Sequence, residues 1–538
     1  MIRRAVPLAG LALALAACGA GPQTQQAPAS AAPVALDLKT STAAAAKGLD
    51  KVTWNLPYEP QTLDPIRSFN YAENTALANM CESLLRLTPD FTIEPGLAEK
   101  ADNPTPTTWV YTIREGVTFW DGKPLTAQDV AASLKRHLDP ALGTWWSDYF
   151  STVEKVEATG PMQVTVTLKQ ADVLFNQAMA TAAGAIVSKE YAAKKDLGSP
   201  TGGLMCTGPF EFGAWKSGDS LSIVRNDAYW DKALTAESKE IVFRFIADET
   251  TAVNALRSGE VDGQYFYLPP AGLAQLREST TGSVTLGKSL TFWTLLSAAK
   301  DGPYADPKVR QALSLALDRA AISKVVFQGT AAPQRTLAGA EYWGYERATF
   351  EKAYQALPQE TQDLAKAKHL LTEAGSPTEP ITIAIQGSAA THEQTANLIK
   401  ATGEALGLKI DIKVVPVEQY GNLYSDPKAR EGVDAFFSTW YGNVPDPLDI
   451  YTVFQAGGRT NFNGYPTVDA DIKKARAEAD PAARAALVTG IQDKVTRDVA
   501  WMPLNNLPVI LYMSDRVTGA VPSFPYLYYP WAVGLGAK

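Results

Sequence analysis

The chain has 538 residues, 46% of them hydrophobic and 20% charged, with a formal net charge of −8. This is the composition of ordinary globular material, and its acidic balance leaves no electrostatic footprint for nucleic acid. The three histidines are scattered and cannot build a dedicated metal site by themselves, so neither a metal nor a cofactor is assigned.

Arg3 and Arg4 precede the run Ala5–Ala17, which is almost entirely apolar or small. A membrane-spanning helix needs roughly 20 such residues. This shorter run, with its basic head and small residues before a break, reads instead as a cleaved export signal. Its end, Leu15-Ala16-Ala17-Cys18, resembles the bacterial lipobox, in which the cysteine thiol receives a diacylglycerol and cleavage makes that cysteine the new N-terminus. A plain signal peptide with an incidental cysteine is the alternative. Two acyl chains suffice for stable membrane attachment. From Gly19 to about Gly48 the chain is rich in Ala, Pro, Gln, Ser and Thr, and buries too little apolar surface to offset its ordering entropy. Residues 1–17 are therefore expected to be signal peptide and 18–48 a lipidated flexible tether.

The rest of the chain, at about 100 to 200 residues per domain, implies two or three domains. It contains no internal repeat and no second apolar span. With Cys18 lipidated, Cys81 and Cys206 are left to pair with each other, as an oxidising compartment permits. Two reduced, buried cysteines are the alternative. In chain order, QVTVTL (163–168) alternates as a half-exposed antiparallel strand does. DPKVRQALSLALDRAAISKVVFQG (306–329) reads as one helix: Asp306 is the N-cap, Pro307 the first helical residue and Gly329 the terminator, with Val309, Ala312, Leu313, Ala316, Leu317 and Ala320 on one face. TQDLAKAKHLLTEAG repeats the design up to Gly375. ITIAIQ (381–386), a polar helix through about Leu406, and LKIDIKVVP (408–416) form a strand–helix–strand unit suited to a parallel sheet.

Three strings suggest catalysis and fail on context. GSVTLGKS (282–289) fits the phosphate-binding loop in letters, but a helical segment precedes it and a strand-like one follows, the reverse of what a phosphate cradle needs. GDSL (218–221) would make Ser220 the nucleophile of an ester hydrolase. That chemistry also needs an acid-positioned base, and the Asp-x-x-His pattern is absent before His137, His369 and His392. HEQTA (392–396) lacks the second histidine of a zinc-protease helix. The chain is expected not to be an enzyme, with a Ser220 surface hydrolase kept as the alternative of a different class.

IREGVTFWDGKPLTAQDV (113–130) reads as a strand, an Asp121-Gly122 turn and a helix opened by a capping-box pair, Thr126 and Asp129. This segment resembles the signature of the family 5 extracellular solute-binding proteins, the dipeptide, oligopeptide and nickel-binding receptors of bacterial ABC importers. CTGPFEFGAWKSGDSLSIVRNDAYWDK (206–232), ALRSGEVDG (255–263), DPKVRQALSLALDR (306–319) and DLAKAKHLLTEAG (363–375) follow in that family's order. The resemblance implies an α/β, two-lobed periplasmic-binding-protein-like fold (class II, cluster C). Lobe I takes 49–288, with an extra subdomain inserted at about 84–200. Lobe II takes 289–510, and 511–538 return to lobe I. It also implies a monomer outside the cytoplasm, lipid-anchored to the outer face of the cytoplasmic membrane, that captures a small solute and delivers it to an ABC permease. Gly19 after the lipid cysteine, by resemblance to envelope lipoproteins, points to a single-membrane cell.

In peptide-binding members a W-x-x-D stretch of lobe II supplies an aspartate for the peptide's amino group. Here the stretch is Trp440-Tyr441-Gly442-Asn443, followed by Val444-Pro445-Asp446. Either Asp446 substitutes for the missing carboxylate or the ligand has no free amine. Tyr58, Trp146, Trp293, Trp440 and Tyr441 are the aromatic candidates for the cleft, with Trp145 beside them. Short peptides are the first expectation for the solute, and oligosaccharides or opine-like conjugates the alternative. If Cys18 carries the anchor, Cys18→Ser releases the protein into the soluble fraction with binding intact. A variant that still fractionates with membranes would exclude the lipobox reading.

Overall fold

The computed structural model describes residues 36–358, 361–387 and 389–538. The export signal, Cys18 and the first half of the tether lie outside the described residues. Among the described residues no helix is long and apolar enough to cross a membrane, and no three His, Cys, Asp or Glu side chains are grouped as a metal site.

Two sheets carry the two lobes. The first has seven strands in the order Gly282–Gly287, Val509–Ser514, Gly263–Phe266, Val52–Leu56, Glu240–Phe245, Ser220–Arg225, Phe210–Lys216. Val52–Leu56 runs parallel to both of its neighbours, and the remaining pairings are antiparallel. The second has six strands in the order Ala332–Pro333, Met502–Asn506, Thr291–Ser297, Ala435–Tyr441, Pro380–Gln386, Lys409–Val415. Its last three are parallel, joined through the helix Ala390–Ala405 as the strand–helix–strand pattern requires. The chain passes from the first sheet to the second at 288–290 and returns at 507–508.

A third sheet of four antiparallel strands, Ala98–Thr105, Thr108–Ile113, Gln163–Leu168 and Val153–Gly160 in spatial order, lies in sequence between the two cysteines of the body. Gln163–Leu168 alternates exposed and buried residues as expected. The helix Ala127–Lys135 opens with the Thr126–Asp129 capping box, the Asp129 carboxylate accepting from the Thr126 N–H at 3.0 Å. Cys81 and Cys206 are bonded, with Cα atoms 5.0 Å apart.

Two expectations change. The segment 306–329 is two helices, Pro307–Ala316 and Arg319–Val325. The break falls where the Asp318 side chain accepts from the Ala321 N–H at 2.9 Å and starts a new helix, a competition that apolar spacing does not reveal. The later part of the tether is also not free. Lys39 bridges to Gly287, Lys47 pairs with Ala537, and Thr42 donates its hydroxyl to the Ala520 carbonyl at 2.8 Å. The alanines between them are small enough for the backbone to lie close, and a Cβ at Gly536 would sit 2.9 Å from that of Ala45.

The 125-residue separation of the disulfide makes it a large constraint on the unfolded chain, worth up to about 5 kcal/mol in the loop-entropy account. Replacing both Cys81 and Cys206 by serine should cost about 2–5 kcal/mol in urea unfolding. The same loss should appear when the wild type is unfolded under reducing conditions.

Candidate functional site

The lobes meet over a group of aromatic rings. In the first lobe the helix Tyr71–Leu77 is capped by Asn70, whose side chain accepts from the Tyr71 N–H at 3.0 Å. Tyr58 stands behind it: its hydroxyl accepts from the Ala72 N–H at 3.1 Å and lies 3.4 Å from the Glu73 carboxylate. So held, the Tyr71 ring stacks on Tyr267 at 4.9 Å and meets the edge of Tyr441, from the second lobe, at 5.5 Å. The Tyr71 hydroxyl is buried near Thr291 and Thr439 without closing a hydrogen bond to either. Tyr441 packs against Phe524 and donates its hydroxyl to the Phe69 carbonyl across the boundary. Between these rings remains a cavity of about 10 Å³, lined by Tyr71, Phe266, Tyr267, Thr291, Phe524 and Tyr526 among others. It has room for about one water.

Polar contacts cluster where the strand Ala435–Tyr441 ends. The Gly442 N–H donates to the Tyr342 hydroxyl at 2.7 Å. A Cβ at 442 would come within 2.5 Å of the Tyr342 ring and 2.9 Å of Asp449 Oδ2, so only glycine admits this approach. Asn443 uses both ends of its amide on the first lobe: Nδ2 donates to the Tyr149 hydroxyl at 3.0 Å, and Oδ1 accepts from the Tyr528 hydroxyl at 2.7 Å. Its backbone N–H donates to Asp449 Oδ2 at 2.7 Å, and the Tyr149 hydroxyl donates to Asp449 Oδ1. Burial pushes the Asp449 carboxyl up to about 6, against the hydrogen bonds from Tyr149 and the Asn443 N–H that favour its charge.

Asp446 is committed elsewhere. It caps the helix Pro447–Tyr451 by accepting from the Leu448 N–H at 2.9 Å, accepts from Gln177 Nε2 of the first lobe at 2.9 Å, and pairs with Arg484 at 3.8 Å. A fully buried ion pair joins the two lobes. Arg476, on the helix Asp469–Ala477, donates through Nε to Asp172 Oδ1 at 3.2 Å and through Nη2 to Oδ2. The same Nη2 also reaches the Asp148 carbonyl at 3.2 Å. Near the rim, the Arg459 guanidinium lies 4.6 Å over the Trp145 ring, which stacks on Phe69.

The aromatic candidates divide. Tyr441 is at the boundary and Tyr58 supports it from behind. Trp440 is half-buried against Trp501 and Tyr424. Trp146 is buried in the first lobe, its indole N–H donating to the Pro65 carbonyl at 3.0 Å. Trp293 is fully buried in the second lobe, stacked on Phe437 with His392 at its edge, because the central strand Thr291–Ser297 is covered on both faces. Ser220 opens a strand after a turn at Gly218, and its hydroxyl donates to Asp219 at 3.0 Å. The histidine side chains engage other groups: His137 meets Thr144, His369 lies near Glu373, and the His392 ring nitrogen accepts from the Gln386 N–H. Unanticipated at the boundary are Tyr71, Tyr149, Tyr267, Tyr342, Tyr528 and Asp449. The one sequence signal for any of them is the tyrosine density of PYLYYPW near the C-terminus.

Two lobes on separate sheets, joined by two short crossings and meeting over an aromatic boundary, define a receptor that closes on a solute. The chain belongs to the bacterial extracellular solute-binding proteins, family 5, and matches that family's middle region over residues 92–462. It is 27% identical over 473 residues to the glutathione-binding protein GsiB of Salmonella paratyphi A, a match that covers 85% of this chain and 89% of that protein. Its fold resembles that of the binding protein AgaA of A. tumefaciens R10 in complex with agropinic acid, with a TM-score of 0.77 and 24% identity over 91% of this chain and 99% of that one. DppA of Helicobacter pylori in complex with the peptide STSA gives the same TM-score and coverage at 21% identity.

The Arg476–Asp172 pair yields a direct test of closure. Removing one partner of a buried pair costs about 3–5 kcal/mol, because the other charge stays buried and uncompensated. As this pair spans the lobes, Asp172→Asn is expected to shift the solute-free protein toward an open form. Small-angle scattering would read the change as a larger radius of gyration.

Proposed function

We propose that the solute is a short peptide or a peptide-like conjugate, captured between the lobes by a monomer that Cys18 anchors by lipid to the outer face of the cytoplasmic membrane, beside an ABC permease. The observation that carries this reading is the double engagement of Asn443 by Tyr149 and Tyr528. A side chain of one lobe that bonds two tyrosines of the other is placed to exchange those bonds for a solute's amide groups. The glutathione named for the GsiB relatives and the peptide bound to DppA support the same class. The agropinic acid of AgaA supports the conjugate arm. The lipobox string at Cys18 supports the anchor, and a receptor tethered there hands its solute over where the permease lies.

The test is calorimetric titration of the mature protein, made soluble by Cys18→Ser, with glutathione, trialanine and cellobiose. Saturable one-to-one binding of a peptide, without turnover and unchanged by Ser220→Ala, is the expected result. Saturation by cellobiose alone would move the assignment to oligosaccharides. Ester turnover abolished by Ser220→Ala would favour the hydrolase reading instead.

A further inference from the structure

The strap of residues 39–47 does more than lie on the first lobe. At its start the Lys39 N–H donates to the Leu286 carbonyl at 2.9 Å, and the Lys39 carbonyl accepts from the Lys288 N–H at 3.1 Å, where the first crossing begins. The Lys288 carbonyl in turn accepts from the Phe524 N–H at 2.9 Å. A Cβ at Gly287 would stand 1.9 Å from the Pro522 carbonyl oxygen and 3.1 Å from that of Lys39, so three backbones converge where only glycine fits. Further along the strap, Thr42 binds the same C-terminal segment twice: its hydroxyl donates to the Ala520 carbonyl at 2.8 Å and accepts from the Gly519 N–H at 3.1 Å. Thr518 donates its own hydroxyl back to the Ala43 carbonyl at 2.7 Å.

The segment so held runs on to the lobe boundary. Phe524 packs against Tyr441, and the Tyr528 hydroxyl donates to Asn443 Oδ1 at 2.7 Å, both partners being in the second lobe. Between strap and boundary the chain reads AVPSFPYLY (520–528), with a short 3-10 turn at Phe524–Leu527. Pro522 and Pro525 fix their own φ angles, so the stretch has few torsions left with which to absorb a displacement. A shift at Gly519–Ala520 is therefore passed along to Tyr528. The structure assigns Thr42 the role of a positioning residue: docked on the C-terminal segment beside the hinge, it sets the place of Tyr528 and so the grip of the first lobe on Asn443. The strap then belongs to the closing machinery and is more than a leash. The assignment needs no particular solute and stands apart from the peptide-like reading above.

The experiment is amide hydrogen exchange on the mature protein, made soluble by Cys18→Ser, with Thr42→Val, Thr42→Ser, Tyr528→Phe and the double variant Thr42→Val/Tyr528→Phe. Thr42→Val removes two hydrogen bonds from the strap, and exchange over 518–528 is expected to rise about 5-fold to 100-fold. The decisive readout is Gly442 and Asn443, in the other lobe and outside the reach of Thr42. Exchange there is expected to rise as well, up to the roughly 5-fold that loss of one hydrogen bond in Tyr528→Phe produces. Thr42→Ser should restore both regions. The double variant should exchange no faster at Gly442 and Asn443 than Tyr528→Phe alone, since coupled residues are not additive. The second-lobe strand Lys409–Val415 should stay as in wild type. A rise confined to 518–528, additive effects at Asn443, or no rise at all overturns the assignment. So does a rise that extends to Lys409–Val415, or a Thr42→Val chain that does not fold, because either makes Thr42 a residue of general stability.

Discussion

The two crossings between the main sheets are the constraint from which the rest follows. Each is two or three residues long, at 288–290 and 507–508, and they leave from neighbouring strands, since Gly282–Gly287 pairs with Val509–Ser514 in the first sheet. Two short adjacent connections permit bending about one line and resist other displacements. Whatever faces the cleft must therefore lie on strand ends and loops to one side of that line. The strand Ala435–Tyr441 pairs with Thr291–Ser297, the strand that leaves the first crossing, so that Tyr441 lies opposite Thr291. Tyr441, Gly442 and Asn443 thus arrive at the boundary as a consequence of register.

The chemistry at the boundary fits a surface that must be buried and exposed in turn. A purely apolar boundary would gain about 25 cal/mol for each Å² covered and would hold the lobes shut without a solute. Tyrosines provide apolar area with a hydroxyl that finds a partner in either state. Tyr149, Tyr441 and Tyr528 each bond across the boundary through that hydroxyl. The Arg476–Asp172 pair works differently. Buried ion pairs contribute little net stability against a hydrophobic equivalent, but breaking one is expensive and its geometry is specific. It selects one closed arrangement over near misses.

What the sequence made legible is local or countable. The alternation of 163–168, the capping box at Thr126 and the parallel strand–helix–strand unit depend on residues within one or two turns, and all three are present. The helix at 306–329 breaks because a second capping aspartate falls inside an apolar repeat that continues through it. The site was less legible for a physical reason. Asn443 and Tyr441 stood in a recognisable stretch, but Asp449 takes its significance from Tyr149, 300 residues away. Large aromatics carry no label for orientation, so Trp293, pointing into its own lobe, and Tyr71, pointing out of its lobe, look alike in a string.

The disulfide and the boundary belong to one mechanical scheme. Cys81 precedes the segment that carries the four-stranded sheet, and Cys206 follows it, so the bond ties the base of that segment to itself. Beside it Glu82 accepts from Thr207 and Tyr229, both at 2.8 Å, and from Trp230 at 2.9 Å, which adds polar stitches to the same neck. The segment above the neck supplies Tyr149, Asp172 and Gln177, three of the first-lobe partners that meet the second lobe. A receptor that reads its solute through hydrogen bonds spanning two bodies loses discrimination if either body flexes within itself. Closing the neck removes that freedom from the larger lobe and leaves the bend at 288–290 and 507–508 as the soft coordinate, so that solute binding energy goes into closure.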